Sequence, residues 1–291
     1  MQVVLHTGAH FTDEDRLLNC LEMNRDLLAT QGVSLPRPKS YRRRLRDLLH
    51  DVQAAPLADG VMQTFLDEVN TLPDPDRVVF SNENFFGVPK IAIKDNKFYP
   101  VAEGRLADFC SLFPGDSVEM FMGIRNPATL LPALLRGSPA ESLDTLTDGS
   151  VPTALRWSEL VTRLRENLPT ISLTIWCNED TPMIWDQLMR EMSGVDPMVK
   201  LEGVDALLAE IMSKEGMTRY RAYLDSHPGM TEVQKRRVIA AFLDKFALED
   251  VLEEELDLPG WTDEFVETLT DIYDEDVYQI ERMPGVNLIT P

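Results

Sequence analysis

Glu83 is the carboxylate best placed in the sequence to move a proton. It follows Arg77–Phe80, a short apolar run that reads as a buried strand. A carboxylate just beyond such a strand could accept a proton from a hydroxyl. The competing reading is a helix cap or an ion pair with a nearby arginine. Arg125 stands between another apolar run, Val118–Ile124, and Pro127. A guanidinium fork at that place suits a phosphate or another anion, or else a structural ion pair. The third concentration is His6-Thr7-Gly8-Ala9-His10-Phe11-Thr12-Asp13-Glu14-Asp15, which leaves the first apolar run and enters a helical pattern. A helix N-terminus favours anions because its first N–H groups are unpaired and its dipole is positive there. The segment does not match G-x-x-x-x-G-K-[ST], which argues against a nucleotide kinase or ATPase.

Other arrangements carry less. His6 and His10 are four apart, a spacing that suits a metal only on a helix, and no cysteine or acid completes a set. No metal is expected, and His10 stays a candidate for contact with a ligand. Cys20, Cys110 and Cys177 are odd in number and far apart, which favours reduced thiols in a cytoplasm. No G-x-S-x-G elbow is present.

The elements that must position these residues follow from apolar patterning. Gln2–His6, Arg77–Phe80, Val118–Ile124 and Ile171–Trp176 read as buried parallel strands. Between them lie helical stripes, Leu17, Leu18, Leu21 and Leu28, then Leu45, Leu48, Leu49 and Val52, then Leu155, Leu160 and Leu164. Thr12 reads as the first helix's N-cap, with Asp15 as the acid of a capping box. Strand–helix alternation implies an α/β fold, a parallel sheet with helices on both faces. Residues 91–99 read as a hairpin turning at Asp95-Asn96. Beyond about residue 200 only helical spacing is visible, as in Leu207, Leu208 and Ile211, or Val238, Ile239, Phe242 and Phe246. The chain therefore divides into an α/β core over 1–200 and a helical, acidic region over 201–291, packed on it.

Composition bounds the function. With 44% hydrophobic and 26% charged residues the chain can build a core. No run approaches a membrane helix, and the N-terminal segment does not read as a secretory signal. The expectation is a cytoplasmic protein that does not engage a membrane. A net charge of −21 argues against nucleic acid as a partner. Thirteen acids and no lysine or arginine lie between Glu249 and Asp276, whereas Arg37, Lys39, Arg42, Arg43, Arg44 and Arg46 form a run without an acid. Both read first as solvated surfaces, the second also as a local anion site.

The stretch VVLHTGAHFTDEDRLLNCLEMNR resembles the opening of the sulfotransferase family, whose bacterial members begin hIGAHKTGTT and continue into a helix with an NR pair, here Asn24-Arg25. FSNENFFG (80–87) is similar to the family's strand and Ser-x-Glu motif, and FMGIRNPATLLPALL (121–135) to its second donor-binding motif. RWSELVTRLRENLPTISLTIWCNED (156–180) is similar to the next helix–strand unit. The resemblance implies a P-loop-like, sulfotransferase-type sheet and transfer of the sulfuryl group of 3′-phosphoadenosine 5′-phosphosulfate (PAPS) to a hydroxyl or amine. It places the donor, or its product adenosine 3′,5′-bisphosphate, on Gly8, Ala9, His10, Phe11 and Thr12. The 3′-phosphate would lie at Arg125 and Ala133, and Glu83 and His10 would serve catalysis.

The chain departs from that pattern where the chemistry lies. Phe11 stands where the family has lysine, and Asp13, Glu14 and Asp15 where it has Gly and Ser/Thr. A phenyl ring cannot neutralise a developing oxyanion, a loss commonly worth about 3–4 kcal/mol per donor. Ala133 replaces the serine that would hold the 3′-phosphate. The alternative to an enzyme is a non-catalytic protein of the same fold that binds a small molecule or a protein, or serves in assembly.

Overall fold

The computed structural model describes residues 1–252, 256 and 258–291. Its frame is a six-stranded, all-parallel sheet. The strands are β1 (Gln2–His6), β2 (Val33–Ser34), β3 (Arg77–Ser81), β6 (Ser117–Ile124), β7 (Ser172–Cys177) and β8 (Val286–Ile289). A two-stranded hairpin of β4 (Ile93–Lys94) and β5 (Lys97–Phe98) stands apart. The sheet order is β2-β3-β1-β6-β7-β8, so β1 is central and the chain order reverses beside it. His6 pairs with Ser81 on one side and Phe121 on the other.

Helices cover both faces. One face holds α2 (Pro38–Ala54), α3 (Ala102–Leu112), α4 (Pro127–Arg136), α5 (Trp157–Asn167) and α8 (Asp263–Glu281). The other holds α1 (Arg16–Met23), α6 (Thr181–Ser193) and α7 (Ala206–Ile211). Successive β1 residues serve opposite layers: Val3 and Leu5 join the first core, Val4 the second. That is why β1 reads as a continuous apolar run. On α2, Tyr41, Leu45 and Leu49 repeat every four residues and are buried, with Pro38 at the first helical position. The helices Lys214–Ser226 and Glu232–Phe246 pack on each other around a smaller cluster that includes Met217, Tyr220 and Ile239.

The region beyond residue 200 is not wholly helical, contrary to expectation. β8 pairs in parallel with β7, and α8 packs on α4 and α5. The reason it escapes the sequence is its shortness: Val-Asn-Leu-Ile carries too little apolar pattern. Two-residue β2 escapes likewise. The acidic segment Glu249–Asp276 is divided: residues 253–255 and 257 lie outside the described residues, whereas 263–276 belong to α8.

Asp276 shows how tightly α8 belongs to the core. It is 2% exposed and its carboxylate accepts the N–H groups of Trp157 (2.6 Å) and Ser158 (3.1 Å), capping α5 from another helix. Trp157 in turn stacks on Phe98 at 4.0 Å and donates its indole N–H to the carbonyl of Arg125 at 2.9 Å. One buried ring thus ties the hairpin, α5 and the end of β6 together. Trp157→Ala should lower the unfolding free energy by about 3–5 kcal/mol, read from denaturant midpoints at neutral pH.

Candidate functional site

In an open α/β sheet the crevice at a reversal of strand order, beyond the strands' carboxyl ends, is where ligands bind. Here four loops meet there: residues 7–15 after β1, 82–88 after β3, 125–126 after β6 and 178–180 after β7. A cavity of about 350 Å³ opens among Thr12, Asn126, Glu179, Thr181 and Glu210.

The first loop is built from its own contacts. Thr7 and Ala9 extend the pairing with β6, donating to the carbonyls of Phe121 (3.0 Å) and Gly123 (2.8 Å). Gly8 has φ +61°, and a Cβ there would lie 2.9 Å from Thr12 Oγ1, so no other residue fits without strain. His10 is buried between two partners: Nε2–H donates to the Gly87 carbonyl (2.9 Å) and Nδ1 accepts from the Tyr99 hydroxyl (2.8 Å). The Tyr99 oxygen also accepts the His10 backbone N–H at 3.0 Å. Burial lowers the pKa of His10 and raises that of Tyr99, so both are neutral at pH 7. With both ring nitrogens engaged, His10 fixes the loop to the 82–88 segment.

Phe11, with φ +60°, turns its ring onto Gly137 beyond α4, where a Cβ would lie 2.2 Å from the ring. Its carbonyl accepts from Arg125 Nη1 at 2.6 Å. Arg125 is 7% exposed and also donates Nε to Thr129 Oγ1 at 3.0 Å. It braces the loop that the sequence places beside it. Ala133 is buried on α4.

The helix start differs from expectation. Thr12 Oγ1 donates to the Ala9 carbonyl at 2.7 Å, so it caps nothing, and α1 begins only at Arg16. Asp13 takes the capping part: its Oδ1 accepts the Leu17 N–H at 2.8 Å. Asp15, expected to serve a capping box, forms an ion pair with Arg42 instead. Arg42 Nε also donates to the Ser81 carbonyl (2.9 Å), linking the basic run to the crevice through one residue. Asp13 is 5% exposed, and burial pushes its pKa up to about 7.

Glu83 is half-buried on the neighbouring loop. Burial first, and the Asp15 charge second, raise its pKa, while Arg42 opposes them. Glu83 therefore shares the field of Asp13, Glu14, Asp15 and Arg42. His6 lies below, its Nδ1 3.0 Å from Ser81 Oγ and its ring 5.8 Å from Trp176. Burial drops its pKa to about 4, and its Nε2 has no hydrogen-bond partner, nor does Thr7 Oγ1.

Sequence reasoning missed the far wall. Glu179 accepts the Asn126 N–H (2.8 Å) and the Tyr273 hydroxyl (3.0 Å), and Asp180 beside it is pushed up to about 6, chiefly by burial. The rule that singled out Glu83, an acid beyond a buried strand, applies equally to the Asn178-Glu179-Asp180 turn after β7. No comparable signal marks Tyr99 or Thr181. Among the described residues, no group of three or more His, Cys, Asp or Glu is arranged to hold a metal ion.

No protein-family model matches the chain, and no curated protein matches it either.

Asp13 makes stability depend on pH with a definite sign. Its ordinary value is 3.8 and its folded value about 7, so between them the folded chain holds the extra proton and loses stability as pH rises. His6 has the opposite slope between about 4 and 6.5, so the parent protein's profile mixes the two. Asp13→Asn, which keeps an acceptor for Leu17, isolates the carboxylate. Its stability relative to the parent should rise between pH 4 and 7 by up to about 4 kcal/mol and then level off, measured by denaturant unfolding across pH.

Proposed function

We propose that this chain is a sulfotransferase-like α/β protein that keeps the crevice as a binding site without using PAPS. The observation that carries this reading is the Asp13 carboxylate on the Leu17 N–H. It occupies, from the chain itself, a backbone N–H that a helix N-terminus would otherwise offer to a phosphate. Two further features support it. Arg125 is engaged by the Phe11 carbonyl and the Thr129 hydroxyl. The loops bring Asp13, Glu14, Asp15, Glu83, Glu179 and Asp180 to the rim that a doubly phosphorylated donor would approach. Carboxylates so placed repel a polyanion, whatever the fold's ancestry.

The catalytic reading draws on Glu83. Its raised affinity for protons, at the mouth of the crevice, is the property a general base toward a hydroxyl or amine acceptor needs. One titration separates the two. Calorimetry with adenosine 3′,5′-bisphosphate, at low and at physiological salt, should show no binding up to millimolar ligand. Micromolar binding that Arg125→Ala abolishes would instead establish a working donor site and make Glu83→Gln the next variant to assay.

A further inference from the structure

The start of α1 is unusual in its backbone and in what holds it. Asp15 stands at the N-cap in a left-handed conformation, φ +63°, with no capping hydrogen bond, and Glu14 before it has φ +52°. Left-handed backbone is unfavourable for any residue with a Cβ, and less so for Asp than for Glu. An N-cap residue ordinarily lies in the extended region and accepts an N–H from its helix. Here the Asp15 carboxylate is taken by Arg42 of α2 instead. Arg42 Nη1 donates to Asp15 Oδ2 at 3.1 Å and Nη2 to Oδ1. Its Nε donates to the Ser81 carbonyl at 2.9 Å, so the guanidinium is tethered to the end of β3.

Asp13 is equipped for a second arrangement. The Arg16 N–H donates to the Asp13 carbonyl at 3.0 Å and the Leu17 N–H to the Asp13 carboxylate at 2.8 Å. In a helix that began at Glu14 these two acceptors would exchange. Asp13 would be its N-cap, with the carboxylate on Arg16 and the carbonyl on Leu17. The Asn19 N–H, 2.8 Å from the Asp15 carbonyl, keeps its acceptor in both arrangements, and the Leu18 N–H gains the Glu14 carbonyl. Glu14 and Asp15 would then lie in the first turn, where the dipole favours carboxylates. The bonds of Arg16, Leu17 and Asn19 are all kept, and the ion pair to Arg42 is what is given up.

We infer that Arg42 and Asp15 form an ionic latch on a two-state helix start, whose release winds Glu14 and Asp15 onto α1. Thr12 and Arg16 both line the crevice cavity, so winding the chain between them reshapes its wall. Release also frees a guanidinium whose charge already acts on Glu83. The latch stands apart from the question of which donor the crevice takes.

The test is nuclear magnetic resonance on the full isotope-labelled chain, with the sign of φ read from three-bond couplings and helix from Cα shifts. In the parent at physiological salt Glu14 and Asp15 should show positive φ. In Arg42→Gln both should move to negative φ with helical shifts, and exchange of the Leu18 amide should slow about tenfold. Adding Glu14→Gly and Asp15→Gly to Arg42→Gln should restore positive φ, because glycine accepts it freely and is a poor helix former. Should Arg42→Gln fail to fold, the parent itself serves. The pair is partly exposed, so potassium chloride at about 1 M, with a screening length of about 3 Å, should move its shifts the same way. Positive φ that survives both the substitution and the salt overturns the inference. So does a loop that loses positive φ and becomes disordered instead of helical.

Discussion

β1 is the constraint on which the rest of the structure depends. It is hydrogen-bonded on both sides and covered on both faces, so its carboxyl end can sit only in the middle of the sheet's edge. The chain order reverses beside it, and the loop that follows must emerge between β3 and β6. Beside its internal bonds, the loop is held from both sides, by Gly87 and Tyr99 on one and by Arg125, Phe121 and Gly123 on the other. Positive φ at Phe11, Glu14 and Asp15 is the local cost of threading that gap.

Charge then decides what the gap can hold. The crevice contains three arginines, Arg16, Arg42 and Arg125, and each is turned to a protein partner. The acids exceed them, and burial raises the proton affinity of Asp13, Glu83 and Asp180. Each raised carboxyl pKa is first the mark of burial, which withholds water from the charged form, and only second of the neighbouring acids. Several of these groups also fix the shape of the loop, Asp13 on Leu17, Asp15 on Arg42 and Arg125 on Phe11.

The central strands were legible because each is a short, nearly continuous apolar run, and the hairpin because Asp95-Asn96 accepts positive φ at both turn positions. The α1 start was not, since Thr12 and Asp13 are both good caps and only the fold of the loop turns the threonine back to Ala9. His10 was noticed for its chemistry, yet its role is set by Tyr99, 89 residues away, which no local pattern reports. Glu179 was legible by the rule already applied to Glu83. The layers of the sheet could be read from the sequence; the pairing of polar groups across its edge could not, because it joins segments far apart in the chain.

The cap that Asp276 places on α5 has a consequence for the order of folding. α5 and β7 leave the ribosome long before α8 and β8, so the first turn of α5 and the outer side of β7 wait without their partners. A nascent chain at that stage exposes an unpaired strand edge and an uncapped helix, the kind of surface that attracts chaperones or other strands. Closure depends on contacts of high sequence separation, which form slowly.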